Sequence, residues 1–119
     1  TVGAYDALTF TYADFSGRGG EGEGYRTKPD LAAPGVGIMT RAPGGTVTAV
    51  TGTSFATPFV TGGAALLMEW GIIKENDPFL YGEKIKAYLR RVARQLPGFA
   101  AYPNNQVGYG ALCVEESIP

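Results

Sequence analysis

The opening TVGAYD (residues 1–6) and residues 8–12 are short runs rich in β-formers, and the first reads as a strand leaving a core. Residues 16–28 follow, where glycines alternate with Glu and Arg and apolar positions nearly vanish, so a surface loop is expected. In LAAPGVGIMT, Pro34-Gly35 signals a turn and Val36, Ile38 and Met39 a short strand. Pro43-Gly44-Gly45 marks a second turn before the β-branched residues 46–50. The pattern then changes. Residues 54–70 are small or apolar almost all round, which predicts a central helix that begins at Thr53 or Ser54 and finds a left-handed C-cap at Gly71. Pro58 fits that helix only near its first turn. A second, peripheral helix is expected over residues 82–95. There Ile85, Tyr88, Leu89 and Val92 recur at three- and four-residue spacing beside Glu83, Lys84, Lys86, Arg90 and Arg91. Residues 106–114 alternate Val107, Tyr109 and Leu112 around Gly108 and Gly110, as an edge strand or turn-strand does.

These elements describe an α/β fold with a few mainly parallel strands, a central buried helix and a peripheral one. A length of 119 residues accommodates one small domain, residues 1–119. Apolar content of 45% against 18% charged residues is globular, while 18 glycines and 8 prolines require many tight loops. A net charge of −1 with scattered basic residues argues against a nucleic-acid partner. The apolar run 55–70 is broken by Thr57, Pro58, Thr61 and Glu69 and falls short of the roughly 20 residues of a membrane span, so no membrane partner is expected. The chain has one cysteine and no histidine, which excludes an internal disulfide and removes the commonest metal ligand. Neither metal nor cofactor is expected. Cys113 reads as a small apolar core residue, and Trp70, Tyr102 and Tyr109 as core or interface aromatics.

The chemistry sits at the strand–turn–helix sequence Val50-Thr51-Gly52-Thr53-Ser54. First-turn N–H groups of a helix lack internal partners and face outward with the positive end of the dipole, so they stabilise an anion. Ser54 would lie in that field. An oxyanion formed at its oxygen would meet the Ser54 N–H, with the Thr53 hydroxyl as a second donor. Use of Thr53 or Ser54 as a plain N-cap satisfies one of the same donors and is the commoner use of these residues.

Read with its flanks, Gly52-Thr53-Ser54-Phe55-Ala56-Thr57-Pro58, followed by Val60 and GGAALL, resembles the nucleophile motif of the subtilisin-like serine proteases. FSGRG (residues 15–19) and KPDLAAPGV (28–36) resemble two further stretches of that family in the same order, and GYGAL (108–112) resembles its closing strand. PFVTGGAALLM is most similar to the clostridial spore-germination proteases, and Phe59 departs from the His that often follows this Pro.

The resemblance implies a C-terminal part of a subtilisin-like catalytic domain. Ser54 would be the nucleophile that attacks a peptide carbonyl, Thr53 would support the oxyanion, and Val50 and Phe55 would line the leaving-group side of the cleft. The catalytic Asp and His and the oxyanion Asn belong to earlier segments of the family. Inactivity of this chain by itself is therefore expected, with the N-terminal remainder of the domain and a peptide substrate as its partners. Exposed edges predict self-association or strand exchange. The implied location is outside a bacterial cell or on its spore.

Alternatives stay open at this level. A catalytically dead relative would keep Ser54 as a binding or regulatory pseudoprotease, and an unrelated α/β module would hold a phosphate or carboxylate at the same helix end. A Ser-Lys arrangement would have to draw on Lys28, Lys74, Lys84 or Lys86, each placed beside a turn or Glu neighbours. Asp6 and Asp30 read as local structural carboxylates, and Glu21 and Glu23 as a solvated loop in preference to a calcium site.

Overall fold

Val2, Ala4 and Tyr5 start the chain as β1 (Val2–Asp6), whose middle residues are buried on both faces, as a central strand requires. The computed structural model of the chain describes residues 1–20, 24 and 26–119; the expectation for Glu21 and Glu23 lies outside the described residues. β3 (Leu31–Pro34) runs parallel to β1 with Gly3 opposite Ala32 and Ala4 opposite Ala33, a pairing of small side chains that leaves room above the sheet. β2 (Thr11–Tyr12) adds an antiparallel edge, so the earlier expectation of a strand over residues 8–12 shrinks to its end. Asp6 explains the loss: its carboxylate accepts the Leu8 N–H at 2.9 Å and turns the chain. β4 (Ile38–Arg41) and β5 (Val47–Val50) form a separate antiparallel hairpin around the expected Pro43-Gly44-Gly45 turn.

α1 (Thr53–Met68) lies over β1 and β3 and buries Ala56, Gly63 and Leu67, one narrow stripe of its surface. Ala56 packs with Ala4, Ala13 and Ala33, whereas Leu67 reaches Leu31, Leu80 and Leu89. The expectation of burial on every side is not met in this chain, since Phe55, Phe59, Leu66 and Met68 remain exposed. No described element covers that side of the helix.

The helix does not stop at a Gly71 cap. It continues through a π-type turn, Glu69–Ile73, and the left-handed residue is Glu75 at φ 59°. Gly71 is instead a packing glycine: a Cβ there would lie 2.8 Å from Leu80 Cδ2. The continuous helical run, Thr53–Ile73, is thus 21 residues and by length and composition alone would reach across a membrane, a correction to the shorter run expected from sequence.

α2 (Gly82–Arg91) is amphipathic as expected, with Glu83 in its first turn and Arg90 and Arg91 in its last, matching the helix dipole. It ends before residue 95 because the Arg94 backbone exchanges two hydrogen bonds with Ala111, at 2.9 and 2.8 Å, in place of helical ones. Residues 106–114 likewise do not form a full strand. Asn104 Oδ1 accepts the N–H groups of Gln106 and Val107, so the chain turns there. Isolated bridges replace the strand: Gly108 pairs back on Asn104, and Ala111 pairs parallel to Ala32 and antiparallel to Arg94, before the short α3 (Val114–Ser117) begins. The deeper pairings, β1 with β3 and Ala32 with Ala111, are parallel; antiparallel pairing belongs to the periphery.

Cys113 is buried and free, as read from sequence. Ser16, placed by sequence in a solvated loop, is buried and its Oγ accepts the Ala4 N–H at 3.0 Å. Trp70 packs edge-on against Tyr88, and the Tyr102 hydroxyl closes on the Leu96 backbone.

Candidate active site

The turn that presents Ser54 is set by two glycines. β3 ends at Pro34, and the next carbonyl, that of Gly35, accepts the Gly52 N–H at 2.8 Å. Gly52 is the N-cap of α1 at φ 152° and ψ 160°, a region open essentially to glycine alone. The Thr51 hydroxyl accepts the Gly37 N–H at 3.0 Å and ties the same turn to the start of the hairpin. The chain therefore passes from strand to helix within three residues of Val50, the last residue of β5.

The cap makes no side-chain hydrogen bond, so neither Thr53 nor Ser54 serves as the N-cap. They are the first two residues of the helix. Phe55 N–H is returned to the Gly52 carbonyl at 3.1 Å, which leaves the N–H groups of Thr53 and Ser54, among the described residues, as the unengaged first-turn donors at the positive helix end. Ser54 is exposed and Thr53 half-buried. The Thr53 carbonyl accepts the Thr57 hydroxyl at 3.0 Å. Pro58, four residues after Ser54, has no N–H to return to the Ser54 carbonyl, and the helix carries it without breaking.

Val50 and Phe55 are linked through the hairpin. Val50 pairs with Ile38, and Ile38 lines a groove of about 250 Å³ with Thr40, Phe55, Pro58 and Phe59. Phe55 is 37% exposed, with its ring against the Gly52 turn.

Chemically, this end of α1 offers a hydroxyl beside two unengaged N–H donors. It offers no base. The chain contains no histidine. Lys28 is bonded to Asp30 at 2.7 Å and Lys84 to Asp77 at 2.8 Å, so both ammonium groups are held by carboxylates away from Ser54.

Asp30 is the anchor of this frame. Its side chain is 8% exposed and binds Lys28 and the Thr1 amino group at 2.7 Å each, and the guanidinium of Arg90. Burial alone would raise its carboxyl, but hydrogen bonds from Lys28 and Arg90 oppose that and hold it below the usual carboxylate range. Sequence reading placed Asp30 in a structural role yet missed its partner Arg90, 60 positions away. It also missed Gly35, whose only signal was the Pro-Gly turn.

Residues 1–110 match the sequence profile of peptidase S8, the subtilase family. The solved structure of the Clostridium perfringens CspB protease superposes with a TM-score of 0.93 at 46% identity, over 98% of this chain and 24% of that one. Subtilisin BL of Lederbergia lenta is 35% identical over 66% of this chain and 27% of its own length. The minor extracellular protease Vpr of Bacillus subtilis is 32% identical over 94% of this chain and 14% of its own length. The chain thus spans about a quarter or less of these relatives. A glycine-driven turn into a core helix, an exposed serine at its first turn and a match over residues 1–110 together mean that the chain belongs to the subtilase family.

Proposed function

We propose that this chain is the C-terminal, nucleophile-bearing portion of a subtilisin-like serine endopeptidase. Ser54 Oγ attacks the scissile carbonyl carbon and gives its proton to a base supplied by another segment of the catalytic domain. The C–N bond breaks as that base returns the proton to the departing amine, and water then hydrolyses the acyl-enzyme. The N–H of Ser54 and the hydroxyl of Thr53 stabilise the developing oxyanion, and Val50 and Phe55 contact the leaving-group side of the peptide. The observation that carries this reading is the position of Ser54: second residue of α1, exposed, beyond a glycine N-cap.

With no histidine in 119 residues, the chain alone does not hydrolyse peptides. Its partners are the remaining catalytic-domain segments and a protein or peptide substrate. Without those segments the exposed face of α1 drives self-association. The extracellular relative supports secretion; association with the spore rests on the resemblance of PFVTGGAALLM to the clostridial spore-germination proteases.

Treating the complete protein with a fluorophosphonate probe tests the reading. Labelling is expected at Ser54 in the complete protein, and neither in its Ser54→Ala variant nor in the isolated chain. A complete protein that is folded yet unlabelled at Ser54 would instead be the catalytically dead relative.

A further inference from the structure

α2 and the segment leading into β3 enclose a second cavity, of about 280 Å³, that shares no lining residue with the groove beside Ser54. Arg26, Lys28, Lys86 and Arg90 line it together with Glu83, Thr27 and Tyr109. Four cations therefore meet two carboxylates among the described residues, Glu83 and Asp30. That local excess is unusual in a chain of net charge −1.

The cations divide by their engagement. Lys28 and the guanidinium of Arg90 are spent on Asp30, and Arg90 is further held 4.9 Å over the Tyr109 ring. They form a rigid positive wall. Lys86 is different. Its carboxylates lie at 3.7 Å (Glu83) and 3.9 Å (Asp30), beyond hydrogen-bond length, so its three N–H donors have no acceptor among the described residues. Among the described residues Arg26 makes no ion pair, and Arg90 Nε is buried without a hydrogen-bond partner. Lys86 and Arg90 stand one helical turn apart on the same face of α2.

We infer that this cavity binds an oxyanion of the phosphate class, with Lys86 and Arg26 as its adjustable ligands and Arg90 as the fixed wall behind them. Guanidinium and ammonium donors around a polar, half-enclosed space match the charge and the acceptor count of a phosphoryl group. A monovalent halide satisfies neither. Free phosphate and a phosphate monoester present the same chemistry to these donors.

Isothermal titration of the complete protein at fixed ionic strength tests this, with inorganic phosphate, glycerol phosphate and chloride as probes. Saturable binding of phosphate but not chloride is expected; a tighter response to glycerol phosphate would mark an ester as the natural source. Lys86→Gln and Arg26→Gln are each expected to weaken binding roughly tenfold, the value of one charge-assisted hydrogen bond. Their Tm in chloride should match that of the parent, because neither side chain holds a hydrogen bond to a described residue. Ser54→Ala should leave the affinity unchanged. Absence of saturable phosphate binding, or binding indifferent to both substitutions, would overturn the assignment.

Discussion

The Gly52 N–H donates to the Gly35 carbonyl at 2.8 Å, which joins the N-cap of α1 to the end of β3. The first turn of α1 is thereby registered against the end of β3 in the buried parallel pair β1–β3, while the Thr51 hydroxyl separately ties the turn to the start of the hairpin. Ser54 inherits its position from that single bond and from the two glycines that allow it.

Gly35→Ala would place a Cβ 2.6 Å from that of Ala4 and 2.9 Å from the Gly52 oxygen. Such overpacking costs about 1–3 kcal/mol and pushes the turn outward. Gly52→Ala would make only ordinary contact, 3.5 Å from the Phe55 ring, yet must hold φ 152°, a strain of similar size, about 1–3 kcal/mol. In the complete protein both should lower the denaturant midpoint and cut the rate of Ser54 acylation, by as much as ~100-fold for a displacement near 1 Å. Acylation at the parental rate in both variants would mean that this bond does not position the serine.

The low carboxyl pKa of Asp30 has a definite sign in a stability profile. A carboxyl depressed in the folded state contributes stability that is fully present above its unfolded pKa, about 3.9, and is lost as pH falls toward the folded value. Urea denaturation from pH 7 down to pH 2 should therefore weaken below about pH 4 by more in the parent than in Asp30→Asn. At neutral pH that variant should be less stable by about 1–3 kcal/mol, since Lys28 and Arg90, both partly exposed, lose their counter-charge. Parallel pH profiles for the two proteins would contradict the assignment.

Leu67 is fully buried where α1 meets Leu31, Leu80 and Leu89. Truncation to Ala should cost about 2–5 kcal/mol, whereas Leu67→Met should cost under about 1.5. Chevron or equilibrium denaturation reads the difference directly.

Phe55 lines the groove beside the Ser54 turn with Ile38 and Phe59. Phe55→Ala should reduce kcat/KM for peptides with a large apolar residue just after the scissile bond by roughly tenfold or more relative to those with glycine there. An unchanged ratio would move Phe55 from substrate contact to simple packing.

Local pattern was sufficient for much of this. The β-branched run ending at Val50, the glycine turn and the apolar stretch from Ser54 are each governed by neighbours within a few residues, so strand, turn and helix start could be read directly, as could the hairpin. The amphipathic stripe of α2 was equally plain. The ends of elements were not, because they depend on distant partners: Leu80 packs where Gly71 was expected to cap, Ala111 takes up the Arg94 backbone, and Asn104 diverts the tail.

What the sequence alone determined was the family and the serine in its turn, since both rest on contiguous residues whose backbone demands are local. Only the tertiary structure decided that Gly35 holds Gly52, that Arg90 closes on Asp30 from 60 positions away, and that one flank of α1 stays open. Those outcomes depend on which surfaces meet when the chain closes on itself, and no short stretch of residues specifies them.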